Sequence, residues 1–198
     1  MPSPAYERFE RSMHIGYEEW HDGTGYDLTA LAELTAEERA SVEALLISRL
    51  SGPADWRDIE ALAELKTPAA VDAIDRARKH SNSEVRQHAL EYFVDAGGEA
   101  QTPPDPAQLE EQIAHEVERG AIDLAESHPT PRVKRALLDC ARLGNATQRV
   151  NAAAMLLYLC GQAPERFDWA QRPFFLRFNA EDHDLYVVWH ELKARVGL

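Results

Sequence analysis

The chain has 198 residues, of which 44% are hydrophobic and 28% charged. This composition is typical of a globular protein with a sizeable core and excludes a disordered chain. The longest apolar run, residues 152–160, is shorter than the about 20 residues of a membrane-spanning helix. The net charge is −13, and residues 1–44 alone carry ten acids against three bases. Such a field repels phosphate backbones and anionic lipids, so we expect neither nucleic acid nor a membrane as partner, but a basic protein.

The two cysteines, Cys140 and Cys160, have no metal-ligand spacing and no third or fourth partner. Both fall within predicted helices, where buried and reduced thiols are the expected state. The opening residues MPSPAYERFE lack the apolar run of a signal peptide. Together these features predict a cytoplasmic protein.

Signals for the beginning of a helix recur along the whole chain. In chain order they are the capping box of Thr35 and Glu38, the acidic pair Asp55 and Asp58, Thr67-Pro68, Ser83, Asp105-Pro106 and Thr130-Pro131. Gly144 and Asn145 separate the helix after Thr130 from a mostly apolar helix, and a last helix follows Asn179. Inward-facing stripes follow them, among them Val42, Leu45, Leu46 and Leu50; Ile59, Leu62 and Ala63; Val133, Ala136, Leu137, Cys140 and Ala141; and Leu185, Val188, Trp189, Leu192 and Val196. No stretch alternates convincingly as a strand, which predicts an all-α chain of about nine or ten helices.

An internal repeat relates two parts of the chain. Residues 59–74 and 122–137 both lead through a short apolar helix into a Thr-Pro pair, and the two pairs lie 63 residues apart. A partner helix follows each copy, and Leu90, Phe93, Val133, Leu137 and Leu157 are predicted core residues. The Pro-rich and polar residues 97–108 between the copies are predicted to form a surface loop.

The stretch SEVRQHALEYF, preceded by a helix that begins at a Thr-Pro pair, resembles the second helix of a HEAT repeat. Residues 55–161 as a whole are similar to HEAT or armadillo-type repeat proteins. The resemblance implies a short right-handed α-solenoid of antiparallel helix pairs with a concave binding face, in which each pair stacks on its neighbour. The second copy has Gln148-Arg149-Val150 where the first has Glu84-Val85-Arg86, so the number of repeats stays open.

We expect one domain over residues 1–198, capped at both ends. Residues 1–54 would supply N-terminal helices and a cap, residues 55–161 the repeats, and residues 162–198 an aromatic segment with a capping helix. An exposed binding ledge is the alternative for the C-terminal aromatic segment. Its large apolar residues are Phe167, Trp169, Phe174, Phe175, Leu176 and Phe178.

Residues 14–28, HIGYEEWHDGTGYDL, are the most unusual stretch, because aromatic, acidic and glycine residues are concentrated there. Aromatic side chains flanked by charges are typical of binding hot spots. The residues predicted to bind a partner are Tyr17, Glu18, Glu19, Trp20, Asp22 and Tyr26. The alternative is an end cap in which the three aromatic rings pack onto the first helices.

Three pairs of side chains have the spacing of metal ligands: Glu18 with His21, His88 with Glu91, and Glu111 with His115. None of these pairs has a third ligand nearby in sequence, so we expect no metal and no cofactor. The chain also lacks a nucleophile elbow and a phosphate-binding loop. These observations favour a protein that is not an enzyme.

The sequence therefore favours a non-catalytic module that binds another protein and is a monomer when free. The composition resembles that of HEAT-like immunity proteins of bacterial toxin systems, which implies a bacterial-type protein that neutralises a toxin through an acidic surface. Two alternatives remain: a scaffold or regulatory HEAT-like adaptor, and a helical metal-dependent enzyme.

Overall fold

The computed structural model describes residues 2–95, 105–180 and 182–198. Over these residues the chain forms thirteen α-helices and one 3-10 helix, with no strand. The all-α prediction is confirmed. The helices outnumber the prediction because four of them have six residues or fewer, which is too short for a helical period to be recognised in sequence.

The chain divides into two compact units, unit 1 over Met1–Thr102 and unit 2 over Pro103–Leu198. The predicted boundary at residue 54 falls inside unit 1, and that at residue 161 falls inside unit 2. The single-domain arrangement and its capping at both ends stay predictions. No helix among the described residues has both the length and the apolar character that a membrane crossing requires.

Unit 1 contains seven helices over its described residues: α1 (Pro4–Ser12), α2 (Tyr17–His21), α3 (Leu28–Glu33), α4 (Ala36–Arg49), α5 (Trp56–Leu65), α6 (Pro68–Ala77) and α7 (Ser83–Asp95). The predicted capping box of Thr35 and Glu38 begins α4, and the Asp55 and Asp58 side chains begin α5. Ser83 lies inside α7, and the Oδ1 of the preceding Asn82 accepts a hydrogen bond from the Glu84 N–H at 3.0 Å. The predicted cap was therefore one residue late.

The core of unit 1 lies where α5 packs against α4, α6 and α7. Leu46, Leu62 and Ile74 are fully buried there, and the predicted core residues Leu90 and Phe93 are buried as well. The stripe of α4 is narrower than predicted. Val42 and Leu46 are buried, whereas Leu45 is 45% exposed because the helix packs through only one edge of the predicted face.

Unit 2 contains α8 (Pro106–Glu118), α9 (Leu124–Ser127), α10 (Pro131–Leu143), α11 (Ala146–Leu159), α12 (Arg172–Phe175), the 3-10 helix η1 (Leu176–Asn179) and α13 (Asp182–Val196). Helix α10 is the centre of its core and packs on α8, α11 and α13. All five residues of its predicted stripe are buried, as is the predicted core residue Leu157. On α13, Val188, Trp189 and Leu192 are buried as predicted, whereas Leu185 and Val196 are only half-buried.

The Thr-Pro repeat begins α6 and α10, where the Thr67 and Thr130 hydroxyls cap the first turn. The helices that lead into the two copies differ, because α5 has ten residues and α9 only four. The HEAT-like stack stays a prediction. Most of the predicted loop, residues 97–104, lies outside the described residues.

The C-terminal aromatic residues fall into two groups. Phe174, Phe175 and Phe178 are buried in unit 2, as packing requires. Phe167, Trp169 and Leu176 are 46%, 72% and 41% exposed. The segment therefore contains both packed and exposed aromatic residues, and its roles as a cap or as a binding ledge stay predictions.

Candidate protein-binding surface

The candidate surface is built on α2 and the loop that follows it in unit 1. Helix α2 has no buried residue, and its Tyr17 and Trp20 side chains are 76% and 65% exposed. The centroids of these two rings lie 6.2 Å apart. The Tyr17 ring also lies 6.0 Å from the His21 ring. Tyr17 and Trp20 thus form a continuous aromatic ledge that is open to solvent, which we call the α2 ledge.

Carboxylates surround the α2 ledge. Glu18, Glu19 and Asp22 are all exposed. A Glu19 carboxylate oxygen accepts a hydrogen bond from the Gly16 N–H at 3.0 Å, which stabilises the beginning of the helix. The Asp22 carboxylate lies 3.0 Å from His21 Nδ1. Five of the six predicted binding residues are therefore exposed on α2 or at its C-cap.

The α2 ledge is held in place by a buried arginine rather than by its own rings. Arg57, at the beginning of α5, is 1% exposed. Its Nε donates to the Thr24 carbonyl at 2.5 Å, and its Nη2 donates to the Glu19 carbonyl at 3.4 Å. Its Nη1 also donates to the Asp55 carboxylate. Bonds to backbone carbonyls fix the path of the segment and leave its aromatic side chains free to contact other molecules.

The sixth predicted residue, Tyr26, lies elsewhere. Its side chain is 6% exposed, and its hydroxyl donates to Asp58 Oδ1 at 3.0 Å. Arg49 donates to the same Asp58 oxygen at 2.8 Å, and the Phe9 ring meets the Tyr26 ring edge-on. Burial, followed by the Asp58 charge, raises the Tyr26 pKa. Tyr26 therefore belongs to the core of unit 1, as the end-cap alternative expected for all three rings.

An acidic groove of about 600 Å³ lies beside Gly25, in the loop that follows α2. Its walls are α5 and α7, and a Cβ atom at Gly25 would lie 3.4 Å from a Glu60 carboxylate oxygen. The residues that line the groove are Leu28, Ile59, Glu60, Ala63, Glu64, Lys66, Val71, His88, Glu91, Tyr92 and Asp95. The groove combines an apolar floor with four carboxylates, and sequence reasoning missed it. Its signals in the sequence were a pair of acids spaced by four residues on each helix and the spacing of His88 and Glu91.

The environment of the groove shifts the pKa of its Glu60 carboxylate. Burial raises its pKa, the negative charges of Glu91 and Asp55 add to the rise, and His88 and Arg57 oppose it. The His88 ring stacks on Trp56 at 4.9 Å, and its Nδ1 lies 3.5 Å from a Glu91 oxygen. The ionised form of Glu60 is therefore disfavoured in the folded protein.

Unit 2 offers a different surface. Its exposed Trp169 ring is covered by the Arg172 guanidinium at 4.5 Å, a cation–π contact. Unit 2 carries fourteen acids and eleven bases, a net charge of −3, whereas unit 1 carries twenty acids and ten bases, a net charge of −10. Most of the acidic field thus belongs to the unit that holds the α2 ledge and the groove.

The pairs with metal-ligand spacing are engaged in other contacts. Arg132 binds the Glu111 carboxylate at 2.9 and 3.0 Å, and this lowers the Glu111 pKa. No group of three histidine, cysteine or carboxylate side chains with a metal-binding arrangement occurs among the described residues. Burial raises the pKa of Cys140 to about 11 and also raises that of Cys160, and such thiols are poor nucleophiles.

Comparisons with protein-family models, with curated proteins and with solved structures found no match for this chain. The function must therefore be inferred from the described surfaces. Exposed aromatic rings bordered by carboxylates have the composition of protein-binding hot spots. The α2 ledge is the clearest such surface, because its two rings contribute nothing to the core of unit 1.

Proposed function

We propose that this protein is a non-catalytic module that binds a basic surface of another protein through unit 1. The observation that carries the proposal is the exposure of Tyr17 and Trp20 on a helix that buries no residue. A helix of this kind adds little to the core, so its aromatic side chains are better explained by an interface than by folding.

Covering the two rings of the α2 ledge would contribute a substantial part of a binding free energy. An aromatic side chain of this size buries about 150–250 Å² when fully covered, and at about 25 cal/mol per Å² the two rings supply several kcal/mol. Arg57 fixes the backbone beneath them. Little conformational entropy is then lost when the partner arrives, which favours affinity.

The negative charge of unit 1 favours a positively charged partner. Unit 1 has a net charge of −10, and three carboxylates border the ledge. An acidic surface of this kind steers a basic protein towards it and repels nucleic acids. The most specific role that fits is that of an immunity protein that covers the basic active surface of a bacterial toxin, in line with the resemblance noted above. A scaffold is the alternative, and it would leave the activity of the bound protein intact.

The test replaces Trp20 with the photo-crosslinking residue p-benzoylphenylalanine in living cells of the source organism. Trp169 of unit 2, which is 72% exposed, provides the matched control position. We expect one basic protein to be crosslinked from position 20 and absent from position 169. A chain that yields no adduct at position 20, or the same adducts from both positions, would contradict the proposal.

The identity of the adduct separates the two roles. The crosslinked protein is produced alone and then together with the wild-type chain in a host that contains neither. A toxin should arrest growth when produced alone, and the wild-type chain should restore growth. Normal growth in both cases would reject the immunity role and favour the scaffold.

A further inference from the structure

We propose that the groove between α5 and α7 seats a basic side chain, lysine or arginine, of the protein partner. This inference rests on the proposed function and adds a second contact to the α2 ledge. The cationic head would lie against Glu60 and Glu91, and the aliphatic stem would lie along the apolar floor. The occupant is a protein segment because Gly25, which lies beside the Glu60 carboxylate of the groove, follows Trp20 of the α2 ledge by only five residues.

The shape of the groove fits such an occupant. Its volume of about 600 Å³ lies within the range of small ligand sites, and Ile59, Ala63 and Val71 give it an apolar floor. A wholly polar cluster would leave the methylene groups of lysine or arginine in contact with charges and water. The combination of an apolar floor with a charged rim is what an amphipathic cation requires.

The charge of the groove fits as well. Four carboxylates line it, and its own bases are Lys66 and His88. Glu60 is half-buried and faces the like charges of Glu91 and Asp55, which His88 and Arg57 oppose. An added cation would stabilise the ionised carboxylates of the groove, so charge complementarity and solvation favour the same occupant.

The experiment titrates the full chain with N-acetyl-arginine amide and follows the backbone amides by NMR. N-acetyl-lysine amide serves as the second cation, and N-acetyl-citrulline amide is the neutral isostere of the arginine probe. We expect saturable shifts at amides of residues 59–66 and 88–95 with both cations and none with citrulline. Shifts of equal size with citrulline, or shifts spread evenly over the acidic residues of unit 1, would overturn the proposal.

The carboxylates are tested by the double variant Glu60→Gln with Glu91→Gln. Its matched control is Glu10→Gln with Glu37→Gln, which removes the same charge from exposed positions of α1 and α4 outside the groove. We expect the groove variant to weaken the binding of both cations about tenfold or more, the effect of one lost charge-assisted hydrogen bond. The control variant should bind them within about twofold of wild type, because exposed charges contribute little. An equal weakening in the two variants would mean that the cations respond only to net charge.

A dispersed NMR spectrum shows that each variant has folded, and Glu64→Gln provides a second groove variant if the double variant fails to fold. Failure of the groove is distinguishable from failure of the proposed function. A crosslink at position 20 without cation shifts in the groove overturns the groove alone. Cation shifts in the groove without a crosslink at position 20 overturn the protein-binding role of the α2 ledge, and with it the protein source of the cation.

Discussion

Each unit holds an aromatic segment by hydrogen bonds from one arginine to backbone carbonyls. In unit 1, Arg57 binds the carbonyls of Glu19 and Thr24. In unit 2, Arg149 binds those of Phe178 and Ala180 at 2.9 and 3.0 Å. The segments differ in what they bury, since the segment in unit 2 packs three phenylalanines into its core and α2 packs none of its residues.

The difference shows that an arginine anchor does not by itself reveal the role of the segment it holds. Where aromatic side chains also bury, the anchor supplements packing, and the segment belongs to the core. Where they remain in solvent, the anchor and local backbone hydrogen bonds determine the path of the chain, and the rings stay exposed. The unit with the exposed rings also has the larger negative net charge, −10 in unit 1 against −3 in unit 2.

The largest losses of stability should come from substitutions in the two cores, and they should be similar in the two units. Leu62→Ala in unit 1 and Leu137→Ala in unit 2 each remove a fully buried side chain. We expect each to lower the free energy of unfolding by about 2–5 kcal/mol, measured by urea denaturation. Leu143→Ala is the control, because this leucine is 72% exposed. A cost below about 0.5 kcal/mol for either core variant would mean that its helix packs through another face.

The two arginine anchors should differ in effect. Arg57→Met should lower the free energy of unfolding by about 2–3 kcal/mol and expose the amides of residues 17–25 to hydrogen exchange. Arg149→Met should cost about 1–2 kcal/mol and leave the segment of residues 174–180 protected, because buried phenylalanines also hold it. Hydrogen exchange followed by mass spectrometry measures both. If the two segments lose protection equally, the distinction between presentation and packing fails.

Low pH should destabilise the first turn of α4 in unit 1 but not the first turn of α11 in unit 2. The Glu38 carboxylate accepts hydrogen bonds from Ser3 and Thr35, and these bonds lower its pKa from 4.5 to about 2. Because the folded-state pKa is lowered, the stability that ionised Glu38 contributes is present above pH 4.5 and is lost as the pH falls towards 2. The corresponding box of α11 uses the neutral side chains of Asn145 and Gln148.

Amide exchange at the first turns of α4 and α11, measured between pH 5 and 2.5 and corrected for intrinsic rates, tests this difference. The protection of α4 should fall with pH, whereas that of α11 should not. Glu38→Gln should remove the pH dependence from α4. A wild-type α4 whose protection is constant over this range would show that Glu38 is not bound as the structure describes.

The smallest effect concerns the groove. Burial raises the Glu60 pKa in the folded state, so protonated Glu60 favours the folded protein. This contribution to the free energy of unfolding is present below the pKa of Glu60 in the unfolded chain. It is lost as the pH rises through the pKa of Glu60 in the folded protein. Glu60→Gln should therefore raise the free energy of unfolding at pH 7, by about 0.5 kcal/mol or less. Denaturation at pH 4 and pH 7 measures it. A variant that is less stable than wild type at pH 7 would assign Glu60 a structural role.

Much of the fold could be predicted because its signals are local. A capping box needs only two residues three positions apart, as at Thr35 and Glu38, and a Thr-Pro pair specifies a helix beginning by itself. The buried face of α10 could also be predicted, because its five apolar residues recur with the period of a helix. Short helices and partly used faces, such as that of Leu45, carry no such signal.

The candidate site could be predicted only in part, because its contacts join distant residues. The composition of residues 14–28 indicated a candidate binding segment. Composition does not distinguish Tyr26, which is buried, from Trp20, which is exposed. The bond from Arg57 to the Thr24 carbonyl spans 33 residues. The groove likewise depends on how α5 and α7 pack, which no local pattern specifies.

We propose that Trp20 serves an interface and that Trp169 does not. With the partner that is captured at position 20, the most direct measurement is the dissociation rate of the Trp20→Ala complex, with Trp169→Ala as the matched control. We predict dissociation about 30-fold faster for Trp20→Ala, corresponding to about 2 kcal/mol, and a melting temperature within about 2 °C of wild type. Trp169→Ala should dissociate at the wild-type rate. A wild-type dissociation rate for Trp20→Ala, or a lowered melting temperature with unchanged affinity, would mean that Trp20 is not an anchor of the interface.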